Sequence, residues 1–240
     1  MGVRPARDTQ SDDDSLPTGE AKHRAVQQMF DTIAPRYDLV NRVMTFGLDT
    51  RWRRRAVRSL SLPPHSLVLD LASGTGDLCI VLARSGQRPI SVDFSFGMLS
   101  ADHRSSAPRV QADVCSMPFP AASADGVTCG FALRNFVDLG LFFDDLARVV
   151  RPGGRIALLD ACEPENRILR WGHGLYFRGV VPRIGGLLSD RRAYRYLPKS
   201  LAYLPPPAEM LARLEAAGFT AVTRVLLTGG AAQLITATRL

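Results

Sequence analysis

The residues best suited to chemistry lie in the segment Leu69–Asp77, LDLASGTGD, where an apolar run ends in a glycine-rich turn. The run SLVLDLA is short and rich in branched side chains, which predicts a buried parallel strand. Gly74 and Gly76 lack a Cβ, so a ligand can approach the main chain of the turn closely. The helical pattern DLCIVLAR follows at once. This arrangement predicts a site for a nucleotide-like ligand, with a turn that binds nothing as the alternative.

Two acids near the turn narrow the choice of ligand. Asp93 ends the next apolar run, PISVD, where a carboxylate can accept hydrogen bonds from ribose hydroxyls. Asp77 follows the turn directly, and Cys79 stands where a dinucleotide fingerprint has its third glycine. A carboxylate at this point would repel a pyrophosphate and suits a cationic ligand. The pattern Asp70-x-Ala-x-Gly-x-Gly resembles the first motif of class I S-adenosylmethionine methyltransferases, which implies that cofactor.

Strand and helix patterns alternate from residue 66 onward. The strand candidates are SLVLDLA, PISVDF, RVQADV, GVTCGFAL, RIALLDA, TAVTRVLL and AAQLITATRL. Repeated βα units predict an α/β fold with a doubly wound, mostly parallel sheet. A final helix and strand pair fit the seven-stranded, Rossmann-like methyltransferase sheet, in which the last strand is antiparallel. RPGG, residues 151–154, is expected to end the preceding helix and turn into the fifth strand.

The segments outside this alternation define the expected domain plan. Residues 1–20 are polar and predict a disordered tail, and residues 21–240 predict one methyltransferase domain. Within it, residues 21–60 predict an N-terminal helical cap of two helical stretches around Pro35. Residues 165–205 break the βα rhythm and predict an insertion or lid over the substrate.

Composition limits the class of protein. The chain has 240 residues, 46% of them hydrophobic and 22% charged, as in soluble globular proteins. No apolar run approaches the ~20 residues of a membrane span, and no signal-peptide pattern is present. The four cysteines have no paired spacing, so we expect neither a disulfide framework nor a metal site. A cytoplasmic location is the expectation.

Positive charge is concentrated in two segments. The net charge is +7, and Lys22–Arg58 carries nine basic residues against three acids. Glu165–Lys199 carries eight against two, with Trp171, Tyr176 and Phe177 among its arginines. An anionic partner is indicated: a membrane surface, an acidic substrate or nucleic acid. The alternatives are a solvated basic face and, for the aromatic side chains, a lid or ordinary core packing.

Ligands of such sheets bind outside the carboxyl ends of the strands. The residues expected to converge there are Gly74–Asp77, Asp93, Asp113, Gly130–Asn135 and Asp160. Met98 lies about one helical turn past Asp93, where it could pack on an adenine ring or in the core.

Blocks outside the cofactor half carry a more specific resemblance. MFDTIAPRYDLVNRVMTFGLDTRWRR, VDFSFGML, MPFP, FALRNFVD, RVVRPGG, YRYLPKS and AGF…LLTGG together resemble the quinone-biosynthesis C-methyltransferases. The most specific blocks are Phe30–Asn41 and Arg134–Asp138. The resemblance implies C-methylation of a polyprenylated quinol, demethylmenaquinol or a polyprenyl-benzoquinol. It also implies a protein peripheral to the membrane, and a homodimer.

The resemblance assigns cofactor contacts residue by residue. Thr75 and Asp93 match cofactor contacts of the family, and Asp113–Val114 match its adenine pair. The family often has serine at the position of Gly130, so that contact is missing. We expect Asp70, Gly74, Gly76 and Met98 to complete the cofactor site.

Two departures from the family pattern leave the acceptor open. Leu159–Pro164, LDACEP, stands where the family usually reads LEFSKP, and Ile235 stands where histidine is common. Methylation of a different lipid or of a natural-product phenol is therefore the serious alternative.

The proposed chemistry needs an ionised ring hydroxyl, because the neighbouring ring carbon then becomes nucleophilic. A free phenol has a pKa near ~10, so the site must favour the phenolate or supply a base. Arg134 and Asn135 are the best candidates to contact the quinol oxygens, and an arginine cannot itself act as the base. The alternative for Arg134 is a structural salt bridge with Asp138 or Asp160.

Three other polar residues could complete the reaction site. Tyr37, Asp38 and Asn41 could close over the methionine end of the cofactor or over the ring, unless their helix is only packed on the body. His173, among aromatic residues, could act as a base, but the family motif does not support it. The general base is therefore not identified by the sequence.

Two other classes of function compete with this interpretation. A pI near 9.7 suggests a nucleic-acid methyltransferase. Base-directed amino methyltransferases usually carry an [N/D/S]-P-P-[Y/F/W] box after the fourth strand, and this chain has GFALRN. No nucleic-acid partner is therefore expected. The second class is a non-catalytic protein that keeps the fold and binds cofactor without turnover.

Overall fold

Short apolar runs form the strands, as the sequence predicts. The computed structural model describes residues 19–176, 179, 183 and 200–240. The strands are β1 (Leu67–Leu71), β2 (Arg88–Asp93), β3 (Arg109–Gln111), β4 (Ala124–Gly130), β5 (Val150–Ala161), β6 (Phe219–Leu227) and β7 (Ala232–Arg239). The helices are α1 (Gly19–Ile33), α2 (Tyr37–Met44), α3 (Leu48–Leu60), α4 (Asp77–Arg84), α5 (Phe96–Ala101), α6 (Leu139–Val149), α7 (Arg167–Leu175) and α8 (Pro207–Ala216). The predicted tail up to residue 18, and most of the predicted lid after residue 176, lie outside the described residues.

All seven strands belong to one sheet with the order β3-β2-β1-β4-β5-β7-β6. The pairs among β1 to β5 are parallel, and β7 is antiparallel to both β5 and β6. The doubly wound, mostly parallel sheet with an antiparallel last strand is therefore confirmed. The order reverses between β1 and β4, and in such sheets the ligand crevice opens at that point.

Apolar side chains on the two faces of the sheet build two separate cores. Leu69 and Leu71 of β1 pack with Phe142 and Leu146 of α6 on one face. Val68 belongs to the cluster of Trp52, Leu60, Leu78 and Leu82 on the other. This division follows from the alternation of side chains along a strand. Helices on both faces leave the carboxyl ends of the strands as the open edge.

Two connections differ from the expected plan. The helical pattern after Pro35 is divided into α2 and α3, because Gly47 adopts φ 72°, which ends one helix and begins the next. RPGG is not a turn between α6 and β5, because β5 already begins at Val150. Val150 pairs with Ala124 and Arg155 with Gly126, so the four residues form an irregularity inside the strand.

The third strand is also shorter than its candidate RVQADV. It ends at Gln111, and Asp113 lies in the turn that follows. There the Asp113 carboxylate accepts a hydrogen bond from the backbone N–H of Cys115 at 2.9 Å.

None of the helices in the described ranges has the length and apolar character to cross a membrane.

Candidate functional site

The glycine turn after β1 is fixed from the tip of β2. The backbone N–H of Gly74 donates to Asp93 Oδ2 at 2.8 Å, and that of Ser95 donates to Asp93 Oδ1 at 2.8 Å. Gly74 and Gly76 adopt φ 57° and 78°. A Cβ on Gly76 would collide with the Asp102 carboxylate. Glycine is thus required at residue 76 by both conformation and space.

A cavity with about 720 Å³ of empty space, part of it open to solvent, lies at this edge of the sheet. Six of the expected cofactor residues line it: Gly74, Asp93, Met98, Asp113, Val114 and Gly130. Two of the expected catalytic residues, Tyr37 and Asn135, line it as well. The structure thus gathers residues that lie up to 98 positions apart around a single space, as the fold class implies.

The remaining three expected cofactor residues take other positions. Asp70 is fully buried and accepts hydrogen bonds from Thr128 Oγ1 at 2.8 Å and from Cys79 Sγ at 3.4 Å. Burial raises its pKa to about 7. Thr75 is buried in the turn and donates its hydroxyl to Asp38. Together with Gly76, these residues stabilise the conformation of the turn and do not line the cavity.

Two carboxylates give the first cavity its polar character. Asp93 is 4% exposed, and burial raises its pKa to about 6, while its bonds to Ser95 and Gly74 act in the opposite direction. A carboxylate has about four acceptor positions, so these backbone bonds leave it able to accept from a ligand's hydroxyl. Asp113 Oδ2 lies 3.4 Å from His23 Nε2. Apolar side chains, including Phe94, form much of the remaining wall.

Helices α1 and α2 contribute side chains to the wall of this cavity, and α1 is attached to the loops around it. Lys22 Nζ donates to the carbonyl of Phe136 at 2.7 Å, and Gln27 Nε2 donates to that of Phe94 at 3.1 Å. The Asp31 carboxylate accepts from the N–H of Gly97 at 2.9 Å. The side chains of α1 and α2 that line the cavity are His23, Val26, Phe30 and Tyr37.

A second cavity, with about 1000 Å³ of empty space, adjoins the first. Tyr37 and Phe131 line both cavities and so form part of a common wall. Other lining side chains of the second cavity are Asn41, Met44, Phe46, Asp49, Trp52, Arg53, Arg134, His173 and Tyr176. Most of its exposed lining is apolar, so it suits a flat hydrophobic molecule with few polar groups.

Arg134 lines the second cavity and also forms a buried ion pair. Its Nη1 contacts the carboxylate of Asp160, and its Nε donates to Ser200 Oγ at 3.1 Å. Arg134 is 6% exposed and Asp160 is 0% exposed. Burial raises the pKa of Asp160, and the neighbouring guanidinium opposes that effect. Asp138 is not the partner, because its carboxylate caps α6 through Gly140 N–H at 2.7 Å.

The phenol side chain of Tyr37 lies in the common wall between the two cavities. Burial raises the pKa of the Tyr37 hydroxyl, which Asn41, Arg134 and Arg53 counteract. Tyr37 therefore carries its proton at neutral pH and can donate a hydrogen bond there. It lies at the start of α2, and its ring contacts Phe30 edge-on at a centroid distance of 6.0 Å.

Asp38 occupies an ion cluster rather than a cavity wall. Its Oδ2 lies 2.5 Å from Arg104 Nη2, which also lies 2.6 Å from Asp77 Oδ1. With its bond to Thr75, Asp38 links α2 to the glycine turn. Its position indicates a structural role for a residue that the sequence presented as catalytic.

Some lining residues of the second cavity were missed by sequence reasoning. Trp52 and Arg53 lie in the run RWRRR, which looks like a charged surface. The i,i+4 spacing of Asp49 and Arg53 was the available sign that they form an ion pair on one face of a helix, and the two side chains are in contact. Ile235, where the family often has histidine, is fully buried in the sheet core and paired with Leu158. That departure therefore lies in the core.

No cluster of metal-binding side chains occurs among the residues that the structure describes. The four cysteines are unpaired thiols, and three of them are buried. Cys162 donates to the carbonyl of Gly230 at 3.0 Å. Burial raises the pKa of Cys162 to about 11, so this thiol stays protonated at neutral pH.

Relatives of known name extend over most of the chain. It is 40% identical over 219 residues to a ubiquinone/menaquinone biosynthesis C-methyltransferase UbiE of Syntrophotalea carbinolica, covering 88% of this chain and 92% of the relative. It is 41% identical over 215 residues to a demethylmenaquinone methyltransferase of Thermus thermophilus, with coverages of 86% and 97%.

Solved structures show where else the fold occurs. A phosphoethanolamine N-methyltransferase 2 of Haemonchus contortus, in complex with phosphomonomethylethanolamine and S-adenosylhomocysteine, matches with a TM-score of 0.59 at 13% identity, covering 78% of this chain and 52% of that one. The [4+2]-cyclase SpnF matches with a TM-score of 0.64 at 14% identity, with coverages of 93% and 97%. Because a cyclase shares the fold, the fold alone does not define the reaction.

The reaction class follows from the family instead. Residues 18–239 match the model of the ubiE/COQ5 methyltransferase family. The expectations of a methyltransferase, of S-adenosylmethionine as its cofactor and of a role in quinone biosynthesis are thereby confirmed. With this match and relatives at about 40% identity, the chain belongs to the ubiE/COQ5 methyltransferase family.

Proposed function

We propose that this protein methylates a ring carbon of a polyprenylated quinol, and that its substrate is demethylmenaquinol, which becomes menaquinol. The observation that carries the proposal is the pair of adjoining cavities with Tyr37 and Phe131 in their common wall. A transfer between two molecules needs both of them held side by side and shielded from water. The name of the Thermus thermophilus relative, a demethylmenaquinone methyltransferase, supports the choice of substrate.

The first cavity fits S-adenosylmethionine. Asp93 would accept hydrogen bonds from the ribose hydroxyls, and Asp113 with the backbone N–H of Val114 would bind the adenine. Met98 Sδ would lie 3.9 Å from a Cβ at Gly74, so the cavity narrows between these residues. The bound cofactor supplies an electrophilic methyl group. Helices α1 and α2 would act as a cap that keeps water from it.

The second cavity fits the quinol ring. The guanidinium of Arg134 stabilises a developing phenolate, because its positive charge lies at the cavity wall and is largely shielded from solvent. Asn135 and the Tyr37 hydroxyl can hydrogen-bond a ring oxygen near the common wall. Phe131 supplies an apolar surface for the ring. These residues orient the acceptor carbon toward the first cavity.

Turnover with defined acceptors tests the proposal. The full-length protein is incubated with radiolabelled S-adenosylmethionine and, in separate reactions, reduced demethylmenaquinone, a reduced polyprenyl-benzoquinone and duplex DNA. We expect label in the naphthoquinol product. Label only in the benzoquinol would correct the acceptor, and label only in DNA would contradict quinol methylation. Cofactor binding without labelling of any acceptor would support a non-catalytic role.

A second acceptor is favoured by one observation in the ion pair. Asp160 stands where the family usually has glutamate, and it is the partner of Arg134 in the second cavity. An acid that is one methylene shorter shifts the guanidinium that would contact the ring oxygen. A polyprenyl-benzoquinol or another lipid phenol is therefore the alternative acceptor, and the same turnover assay distinguishes it.

We also propose that the surface around α7 rests on the cytoplasmic face of an anionic lipid bilayer, from which the prenyl tail could enter. Ile168, Trp171 and Leu175 are 78%, 71% and 56% exposed and recur at helical spacing. Arg167 and Arg170 of the same helix are also exposed. Apolar side chains flanked by arginines are typical of helices that lie in a membrane interface.

Vesicle sedimentation tests the membrane contact. The protein should sediment with vesicles that contain anionic phosphatidylglycerol and much less with vesicles of neutral phosphatidylcholine. A Trp171→Ser and Ile168→Ser double variant should lose most of this binding, whereas Val225→Ser, at an exposed position of β6, should retain it. Equal binding by both variants would contradict the assignment.

Sedimentation equilibrium tests the homodimer that the resemblance implies.

A further inference from the structure

The proton acceptor of the methyl transfer is the missing element of the proposed reaction site. Arg134 and Arg53 line the second cavity, but a guanidinium does not release its proton and so cannot accept another. The phenols of Tyr37 and Tyr176 hold their protons, because burial raises the pKa of both. Among the described residues that line this cavity, Asp49 and His173 are the remaining side chains that can act as a base.

Asp49 is already committed to other partners. It is 1% exposed, its Oδ2 contacts Arg53 Nη1, and its Oδ1 accepts the hydroxyl of Thr45 at 2.9 Å. Both carboxylate oxygens are therefore engaged by neighbouring groups and are not available to a substrate hydroxyl. Asp49 is therefore a poor base.

His173 lines the same cavity as Arg134 and Tyr37. Its helix is tied to the α2–α3 connection by Tyr176, whose hydroxyl donates to the carbonyl of Met44 at 2.7 Å. Tyr176 also contacts the ring of Phe46 at a centroid distance of 5.7 Å. Residues three apart share one face of a helix, so these contacts place His173 and Tyr176 together on the cavity side of α7.

We propose that His173 is the general base of the reaction and takes the proton from the ring hydroxyl of the quinol. This inference rests on the proposed function. The charged side chains that line the same cavity as His173 are Arg53 and Asp49 of α3 and Arg134 after β4, and the Glu163 carboxylate after β5 also acts on the imidazole.

The ionisation of His173 agrees with this role. Burial lowers its pKa below the usual 6.5, and the Glu163 carboxylate opposes that effect. The imidazole is therefore neutral at pH 7 and able to accept a proton. The guanidinium of Arg134 stabilises the phenolate that this transfer produces.

The step balances without a further reactant. The ring O–H bond breaks and its proton moves to an imidazole nitrogen of His173. The ring carbon bonds to the methyl carbon while the methyl–sulfur bond breaks, and its electron pair stays on sulfur. That ring carbon then loses its hydrogen as a proton, and the ring oxygen gains one, which restores the quinol. The net proton remains on His173 and passes to water.

Single-turnover rates between pH 5.5 and 9 test the assignment, with reduced demethylmenaquinone as acceptor. The wild-type rate should rise with pH below 6.5 and then level off. For His173→Gln we expect a rate about 10²–10³-fold lower at pH 7, which rises tenfold per pH unit as the quinol ionises unaided. A ring-fluorinated, more acidic quinol should restore much of the loss. His103→Gln, at an exposed position, serves as the control.

Three outcomes separate the possible failures. A His173→Gln rate with the wild-type pH profile would overturn the base assignment, whether the rate is unchanged or uniformly lower. The assignment is supported if His173→Asn and His173→Gln both turn over slowly while their thermal unfolding and S-adenosylhomocysteine binding stay normal. In that case the more acidic quinol should restore the turnover rate of both variants. If the wild-type protein methylates no quinol, the proposed function fails and the base assignment fails with it.

Discussion

Arg134 and Asp160 form an ion pair that is almost wholly buried at the carboxyl end of β5, while the same guanidinium lines the second cavity. The sequence presented substrate contact and a structural salt bridge as alternatives for Arg134. In the structure the salt bridge with Asp160 is present, and the guanidinium that forms it also lies at the wall of the second cavity. A test of Arg134 must therefore keep the charge that Asp160 requires.

Arg134→Lys should separate the two roles. A lysine keeps the positive charge but loses the planar fork, so we expect turnover to fall about 10²-fold while S-adenosylhomocysteine binds within about twofold of wild type. Arg134→Ala should instead lower the free energy of unfolding by about 3–5 kcal/mol, because a buried carboxylate loses its partner. Arg151→Lys, which alters an exposed ion pair with Asp125, is the matched control. Loss of cofactor binding in Arg134→Lys would contradict the assigned role.

Asp93 should make cofactor affinity depend on pH. Its pKa of about 6 means that the carboxylate gains a proton as pH falls through 6, and a neutral carboxyl group accepts ribose hydroxyls less well. The Kd for S-adenosylhomocysteine should therefore rise about tenfold between pH 7 and pH 5. Asp93→Asn should bind about 10–100-fold more weakly at pH 7.5, with a flatter pH dependence. Calorimetric titration across this range provides the measurement, and an unchanged Kd in the variant would rule out the ribose contact.

Asp70 should make stability fall as pH rises. Its pKa is about 7 in the folded protein and 3.8 for an aspartate in the unfolded chain. Between pH 3.8 and pH 7 the folded state therefore holds a proton that the unfolded state has released. Its stabilising contribution is complete below pH 3.8 and is lost as pH approaches 7, in total about 4 kcal/mol. Urea unfolding of Asp70→Asn at pH 5 and pH 8 should show a smaller difference between these two values than wild type. An identical difference would contradict the shifted pKa.

Tyr37→Phe should affect the reaction more than either binding step. The ring remains in the common wall, but the hydroxyl that can contact a quinol oxygen is lost, so we expect turnover to fall about tenfold. S-adenosylhomocysteine binding should stay within about twofold. Tyr203→Phe, at a residue whose ring lies against Lys22 outside the cavities, controls for loss of a phenol. A turnover rate equal to wild type would remove Tyr37 from the reaction site.

Gly76 and Gly86 offer a matched pair for the glycine turn. Both adopt φ near 80°, but a Cβ on Gly86 meets open space, whereas one on Gly76 meets the Asp102 side chain. Both alanine variants should lose about 1 kcal/mol from backbone strain, and only Gly76→Ala should also weaken cofactor binding. Thermal unfolding and calorimetry of the two variants would measure this difference. Equal cofactor affinity would mean that the turn adapts.

Much of the sheet could be predicted from local patterns, because most of the strands contain a short apolar run followed by a turn. The carboxyl-edge residues Asp93, Asp113 and Gly130 were predicted for the same reason: their positions follow from strand ends. The pairing of Asp38 with Thr75 could not be predicted, since it joins residues 37 positions apart through packing of α2. The common wall of the two cavities likewise depends on how α2 and the segment after β4 meet in space.

The two irregularities in the expected elements have causes that hydrophobic patterns do not show. Phe46 and Gly47 divide a continuous helical pattern, because both adopt positive φ angles. The RPGG segment resembles a turn in composition but is held as an irregularity within β5 by its pairing with β4. The first irregularity follows from local backbone conformation, and the second from pairing within the sheet.

The attachment of α1 and α2 has a consequence for folding. Lys22 contacts the carbonyl of Phe136, 114 positions away, and Asp31 contacts the N–H of Gly97, 66 positions away. Contacts of such sequence separation form late, because the entropy of closing long loops must be overcome first. Helix α1 is thus among the last segments to dock, once β4 has formed. Hydrogen exchange should show these helices opening before the sheet, and bound cofactor should slow that opening.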